Sequence, residues 1–160
     1  MRKASRWRLL PALGIAAAFV LSLTPAASAG PTQGGCVLSL STGKFDCFAT
    51  AAEAIRQGDV RAKSANDLRG AVLFTEENYN GRALVLTVPK DCPKDNLVNY
   101  WRDLKDDLTP WRNHVYSMES YGACWIWLYR ENGTREGEFR DNVPKVPLSI
   151  NTSVVTVGLS

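Results

Sequence analysis

The chain has 160 residues, 45% of them hydrophobic, with 19 Lys and Arg, 16 Asp and Glu, and one histidine. Its formal net charge of +3 would favour an anionic partner, but Arg2, Lys3, Arg6 and Arg8 crowd the extreme N-terminus. Without them 15 basic residues face 16 acidic ones, a net charge of −1, and no basic stripe interleaved with aromatics is left, which argues against nucleic acid.

Those four cations open a secretory signal. Leu9 to Leu23 is apolar and uncharged, and Ala27-Ser28-Ala29 is a small-x-small cleavage site. The run is broken by Pro11 and Pro25 and is shorter than the roughly 20 residues a membrane span needs. Residues 1–29 are therefore expected to be removed, leaving a secreted, extracellular monomer with no membrane attachment. The remaining 131 residues suit one domain. An even set of four cysteines outside the cell predicts two disulfides, with three connectivities open. Cys36–Cys47 with Cys92–Cys124 is favoured, because the first pair flanks a hairpin signal. A zinc site would need closely spaced cysteine pairs, which these are not.

In chain order, residues 30–35 read as a Gly/Pro linker. Val37, Leu38 and Leu40 read as a strand, Thr42-Gly43-Lys44 as a turn, and Phe45 to Phe48 as the returning arm. Thr50 with Glu53 forms a capping box for a helix that Gly58 should stop. Residues 30–58 are thus a disulfide-linked hairpin and helix, and the polar stretch 59–70 reads as a linker.

From Ala71 the pattern becomes β. Ala71 to Phe74 and Ala83 to Val88 are strands around a polar tip, Glu76 to Gly81. Residues 89–110 read as a long polar crossing, with Leu97, Trp101 and Leu104 at helix-like spacing. Val115 to Met118, Trp125 to Tyr129, Val146 to Leu148 and Val154 to Val157 supply further strands, with a turn-rich tip from Glu131 to Gly137. Many short strands with Gly and Asn turns predict a mainly β, two-sheet Greek-key sandwich over residues 71–160.

Phe74-x4-Tyr79-x-Gly81 is the most informative spacing. An aromatic on the strand packs beneath the tip, a second folds over it, and glycine takes a backbone position that a side chain would obstruct. This resembles the signature hairpin of the βγ-crystallin family, whose Greek-key motifs open on such a hairpin and close on a serine. Trp111 to Ser117 is similar to the closing half, and Leu148 to Ser153 to that of a second, fainter motif opened by Trp127 to Gly137. The N-terminal hairpin and helix resemble the front end of secreted actinobacterial proteins of this type, some of them grouped with the streptomycete metalloproteinase inhibitors.

The resemblance implies calcium sites at the closing segments. Asn113, Ser117, Thr152 and Ser153 are the candidate ligands, but Arg112 and Tyr116 stand where ligands are expected, and Leu148 and Ser149 replace an acidic pair. Calcium takes six to eight oxygens, several of them charged, so degenerate sites and no cofactor are expected. The resemblance also implies an alternative role, inhibition of secreted metalloproteases, with a protease as the extracellular partner and Cys92 and Cys124 as loop anchors. Catalysis is not expected: the one histidine, His114, lies in a segment that reads as structural, and Asp106-Asp107 and Glu76-Glu77 read as solvated charges. Trp125, Trp127 and Tyr129 alternate along one strand face, which predicts buried core or, as the sharper reading, a carbohydrate platform.

Overall fold

The computed structural model describes residues 34–121 and 124–160; the expected signal segment, residues 1–29, lies outside the described residues. The order is β1 (Gly35–Ser39), β2 (Phe45–Phe48), α1 (Ala51–Ala65), β3 (Leu68–Phe74), β4 (Ala83–Val88), β5 (Tyr100–Asp103), a 3-10 turn (Asp106–Trp111), β6 (Ser117–Ser120), β7 (Ile126–Tyr129), β8 (Arg135–Phe139) and β9 (Thr156–Leu159). One sheet runs β2-β1-β4-β3-β6 and the other β5-β9-β7-β8. The described residues are mainly β, with two sheets and one α-helix.

The two sheets interlock. β3 and β4 form a hairpin, β5 crosses to the edge of the second sheet, and β6 returns beside β3. The second half repeats this: β7 and β8 form a hairpin, Val143 crosses to bridge Met118 of β6, and β9 returns beside β7. Each half therefore reaches into the other half's sheet, the first through β5 and the second through the single bridge at Val143, which is a Greek-key exchange. The core lies between the sheets, with Leu73, Leu84, Leu86 and Met118 facing Ile126, Leu128, Val157 and Leu159.

The N-terminal segment is built into this sandwich. β1 pairs in parallel with β4, with Val37 opposite Val85, and β2 pairs antiparallel on its far side. Gly35, expected in a linker, opens β1. Helix α1 covers the outer face of the first sheet, where Val37, Val72, Phe74 and Val85 form a second cluster around Ala54. β4 is thus covered on both faces, which is why Ala83-Leu-Val-Leu-Thr-Val88 reads as an unbroken apolar run.

Both expected disulfides are present, Cys36–Cys47 across β1 and β2 and Cys92–Cys124 between the crossing loop and the entry to β7. The Thr50 hydroxyl accepts from the Glu53 amide at 3.1 Å, as a cap should. Several boundaries differ from expectation. α1 continues past Gly58 to Ala65 and ends at Asn66 in the left-handed conformation. The stretch 59–70 is therefore not a linker but the second half of α1, a turn and the start of β3. Its polarity has specific uses: buried Asp67 accepts from the hydroxyls of Ser39, Ser41 and Thr87, and Arg69 lies 3.3 Å from Asp59. Helix-like spacing at Leu97, Trp101 and Leu104 misleads, because Trp101 sits on β5 and the helical turn comes later. Val146 to Leu148 forms no strand, whereas β8 emerges where a turn-rich tip was expected to end.

Candidate functional site

The first hairpin has the geometry its spacing predicts. The Tyr79 ring meets Phe74 edge-on at 5.8 Å between centroids. Gly81 has φ +81°, and a Cβ there would lie 2.5 Å from Thr75 Oγ1, so glycine is required on two counts. Ser117 is fully buried beneath the tip. Its hydroxyl accepts from the Tyr79 amide at 2.9 Å and donates to the Glu76 carbonyl at 2.6 Å. Ser117 is thereby committed to holding the hairpin.

The second motif is organised differently. Phe74 pairs with Ser117 across the first half, and Tyr129 pairs with Thr156 across the second. Thr156 therefore occupies the position that corresponds to Ser117. Ser153 lies three residues earlier, and its hydroxyl donates to Ile150 of its own turn at 3.1 Å. A three-residue offset in a polar segment leaves no mark in the hydrophobic pattern, so strand pairing was needed to see it.

Asn113, Thr152 and Ser153 do come together, in a surface depression shared with Arg130, Glu131 and Asn132. Ser117 is elsewhere. The depression holds neutral oxygens and one carboxylate, and two guanidinium groups attend it: Arg112 lies 3.7 Å from Glu131, and Arg130 lines the wall while pairing with Glu136. The set offers a single carboxylate, Glu131, whose charge Arg112 offsets, whereas calcium ordinarily draws on several charged oxygens. Among the described residues no group of three or more His, Cys, Asp or Glu side chains is placed to hold a metal ion.

Trp125, Trp127 and Tyr129 share one face, but it is the outer face of the second sheet, since Ile126 and Leu128 between them enter the core. Arginines cover part of this ladder. The guanidinium of Arg140 lies 4.3 Å from the Trp125 ring centroid, and that of Arg135 lies 3.9 Å from that of Trp127. The Arg135 guanidinium also donates to the Tyr129 hydroxyl at 3.3 Å. Trp127 is buried under this cover, and its indole N–H donates to the Ser160 hydroxyl at 2.8 Å.

Farther along the same face is an open groove of about 420 Å³ bounded by Trp101, Tyr129 and Val98, with Asp103 and Thr156 on β5 and β9. The sequence does not show it, because Trp101 lies in a stretch that reads as a long polar crossing with apolar residues at helix-like spacing. The signal available was an aromatic flanked by Tyr100 and Arg102 between polar stretches, which also reads as an edge strand. His114 Nδ1 lies 2.8 Å from the Arg112 carbonyl oxygen in an exposed loop, and its ring neighbours Tyr116.

No protein-family model matches the chain, and no curated protein matches it. Solved structures do: a βγ-crystallin domain from Clostridium beijerinckii is similar at 14% identity with a TM-score of 0.43, over 57% of this chain and 97% of that one. A double mutant of that domain is similar at the same identity and coverage, with a TM-score of 0.44. At these values the likeness concerns architecture alone, and the Greek-key description rests on the strand order and hairpin geometry given above.

Proposed function

We propose that this chain is a secreted, non-catalytic binding or structural protein whose calcium sites are degenerate. The observation that supports this most directly is Arg112 against Glu131. Where a cation would be held, the chain supplies its own guanidinium, and an arriving divalent ion would meet positive charge. Two disulfides fit an extracellular setting. Among the described residues no helix is long and apolar enough to cross a membrane.

The reading is tested by titrating residues 30–160 with calcium while following the melting temperature. No shift is expected at millimolar calcium, whereas a rise of many degrees at micromolar calcium would overturn the degenerate-site reading.

A second reading, inhibition of secreted metalloproteases, has one observation in its favour. Pro93 to Leu97 is an exposed loop tethered at buried Cys92 and turned by left-handed Lys94 and Asn96. Such anchoring lowers the entropy lost when a loop enters a protease cleft. Thermolysin-like and subtilisin-like proteases should be assayed with excess protein. Slowing of the former alone supports the metalloprotease reading, and no slowing of either removes it.

A further inference from the structure

We propose that the groove between Trp101 and Tyr129 binds a neutral saccharide, with the Trp101 indole as a stacking platform and Asp103 as hydroxyl acceptor. This rests on the binding rather than the purely structural reading of the protein, and names its ligand class.

The platform comes first. Trp101 is 66% exposed, although it stands on a paired strand and not on a loop tip. Its cross-strand neighbour is Gly158, whose own neighbour on the far side is Trp127. A glycine between two tryptophans leaves a gap in the side-chain layer. Val98 and Tyr129 lean into it: a Cβ on Gly158 would meet Val98 Cγ1 at 2.9 Å and Tyr129 Cε2 at 3.0 Å. The glycine thus sets the Tyr129 ring as one wall and leaves the Trp101 face open. A flat, solvated indole stacks well on the C–H face of a pyranose ring, whose hydroxyls then point sideways to polar groups.

Those polar groups are present in the next row. Asp103, Thr156 and Tyr129 stand in register across β5, β9 and β7. Thr156 donates its hydroxyl to Asp103 Oδ1 at 2.7 Å, which fixes the carboxylate while leaving it further acceptor capacity toward the groove. The volume, about 420 Å³, falls in the ordinary range for small-ligand clefts.

Charge selects a neutral ligand. Asp103 already faces Lys105 at 3.9 Å, and Glu131 on the rim faces Arg112 at 3.7 Å. The guanidinium of Arg130 is engaged by Glu136 and the Ser149 carbonyl. Both signs are locally compensated, so an ion of either sign gains little, whereas a polyhydroxyl ligand can use every acceptor.

The test uses chitotetraose and cellotetraose as soluble probes, with tryptophan fluorescence as the readout, and depletion onto insoluble chitin and cellulose. Trp111 and Trp127 are buried and Trp125 is half-buried beside Arg140, so Trp101 is the most exposed reporter of the four, and depletion onto the insoluble polymers scores Trp101→Ala without relying on its emission. Saturable binding to at least one probe is expected. Trp101→Ala should weaken it at least tenfold, and Asp103→Asn should weaken it too, with the melting temperature of Trp101→Ala within a few degrees of the parent. No binding to any of the four probes, or undiminished binding by Trp101→Ala, would overturn the proposal. Product analysis separates the two readings: shortening of a tetraose would overturn the non-catalytic reading while supporting a saccharide site, and intact probe with no binding would sink only the saccharide proposal.

Discussion

Ser117 and Tyr121 show how single side chains hold the first sheet. The Ser117 hydroxyl serves one amide and one carbonyl of the hairpin tip, in a position with no access to water. Ser117→Ala leaves both without that partner, and a loss of about 1–3 kcal/mol is expected in urea unfolding. A change below that range would mean the tip is held by Tyr79 on Phe74 alone. Tyr121 carries the Arg69 guanidinium 3.6 Å from its ring centroid, and its hydroxyl donates to Glu119 at 2.6 Å. Burial, followed by that hydrogen bond, pushes its phenol well above the ordinary tyrosine value. The folded state therefore holds this proton more tightly than the unfolded chain, and its contribution to stability declines as pH rises past about 10. The parent should lose more stability between about pH 9 and 11 than Tyr121→Phe does, and equal losses would show that Tyr121 plays no part.

At the scale of elements, helix α1 is the instructive case. Ala51, Ala54, Gly58 and Ala62 form its small-residue face, with Ala54, Gly58 and Ala62 buried against the first sheet. A Cβ on Gly58 would lie 2.6 Å from Cγ1 of Val85, a stiff and fully buried side chain. Glycine is there for approach, not for termination. Gly58→Ala gains about 1 kcal/mol in helix propensity, but forces a methyl into a packed contact at about 1–3 kcal/mol. Net destabilisation is expected by chemical denaturation, and a more stable variant would mean that the helix can lift off β4 cheaply. The same residue marks where the sequence could mislead. A glycine that stops a helix and one that lets it lie close are identical in the chain, and only Val85 distinguishes them. The hairpin at Phe74, Tyr79 and Gly81 was legible because each residue answers to a local need. Both disulfides were anticipated, the first from its flanking turn. Asp67 reads as loop because the three hydroxyls that solvate it come from distant positions. Trp101 was hidden for a related reason: its exposure depends on Gly158, more than fifty residues away, whose missing side chain no local pattern reports.

The whole molecule poses a question of cooperativity, because residues 34–66 could have been an appendage and are instead the edge and the cover of the first sheet. β1 shares five residue pairs with β4, and α1 closes a cluster that contains Val37, Val72 and Val85. Neither part can leave without exposing apolar surface on the other, so one transition is expected. The chain offers a clean separation of probes. Among the described residues the one α-helix lies in the N-terminal segment, while Trp101, Trp111, Trp125 and Trp127 all lie in the sandwich. Far-ultraviolet circular dichroism therefore reports mainly on the segment, and tryptophan fluorescence on the sandwich. The two midpoints in guanidinium should coincide. Removing the Cys36–Cys47 bridge, whose ends are 11 residues apart in sequence, should cost about 3 kcal/mol by loop-closure entropy. In a cooperative molecule that loss moves both midpoints together, although neither cysteine lies in the helix or near a tryptophan in sequence. If the dichroism midpoint falls while fluorescence stays in place, the segment unfolds by itself, and the parallel pairing of β1 with β4 contributes less than its buried contacts imply.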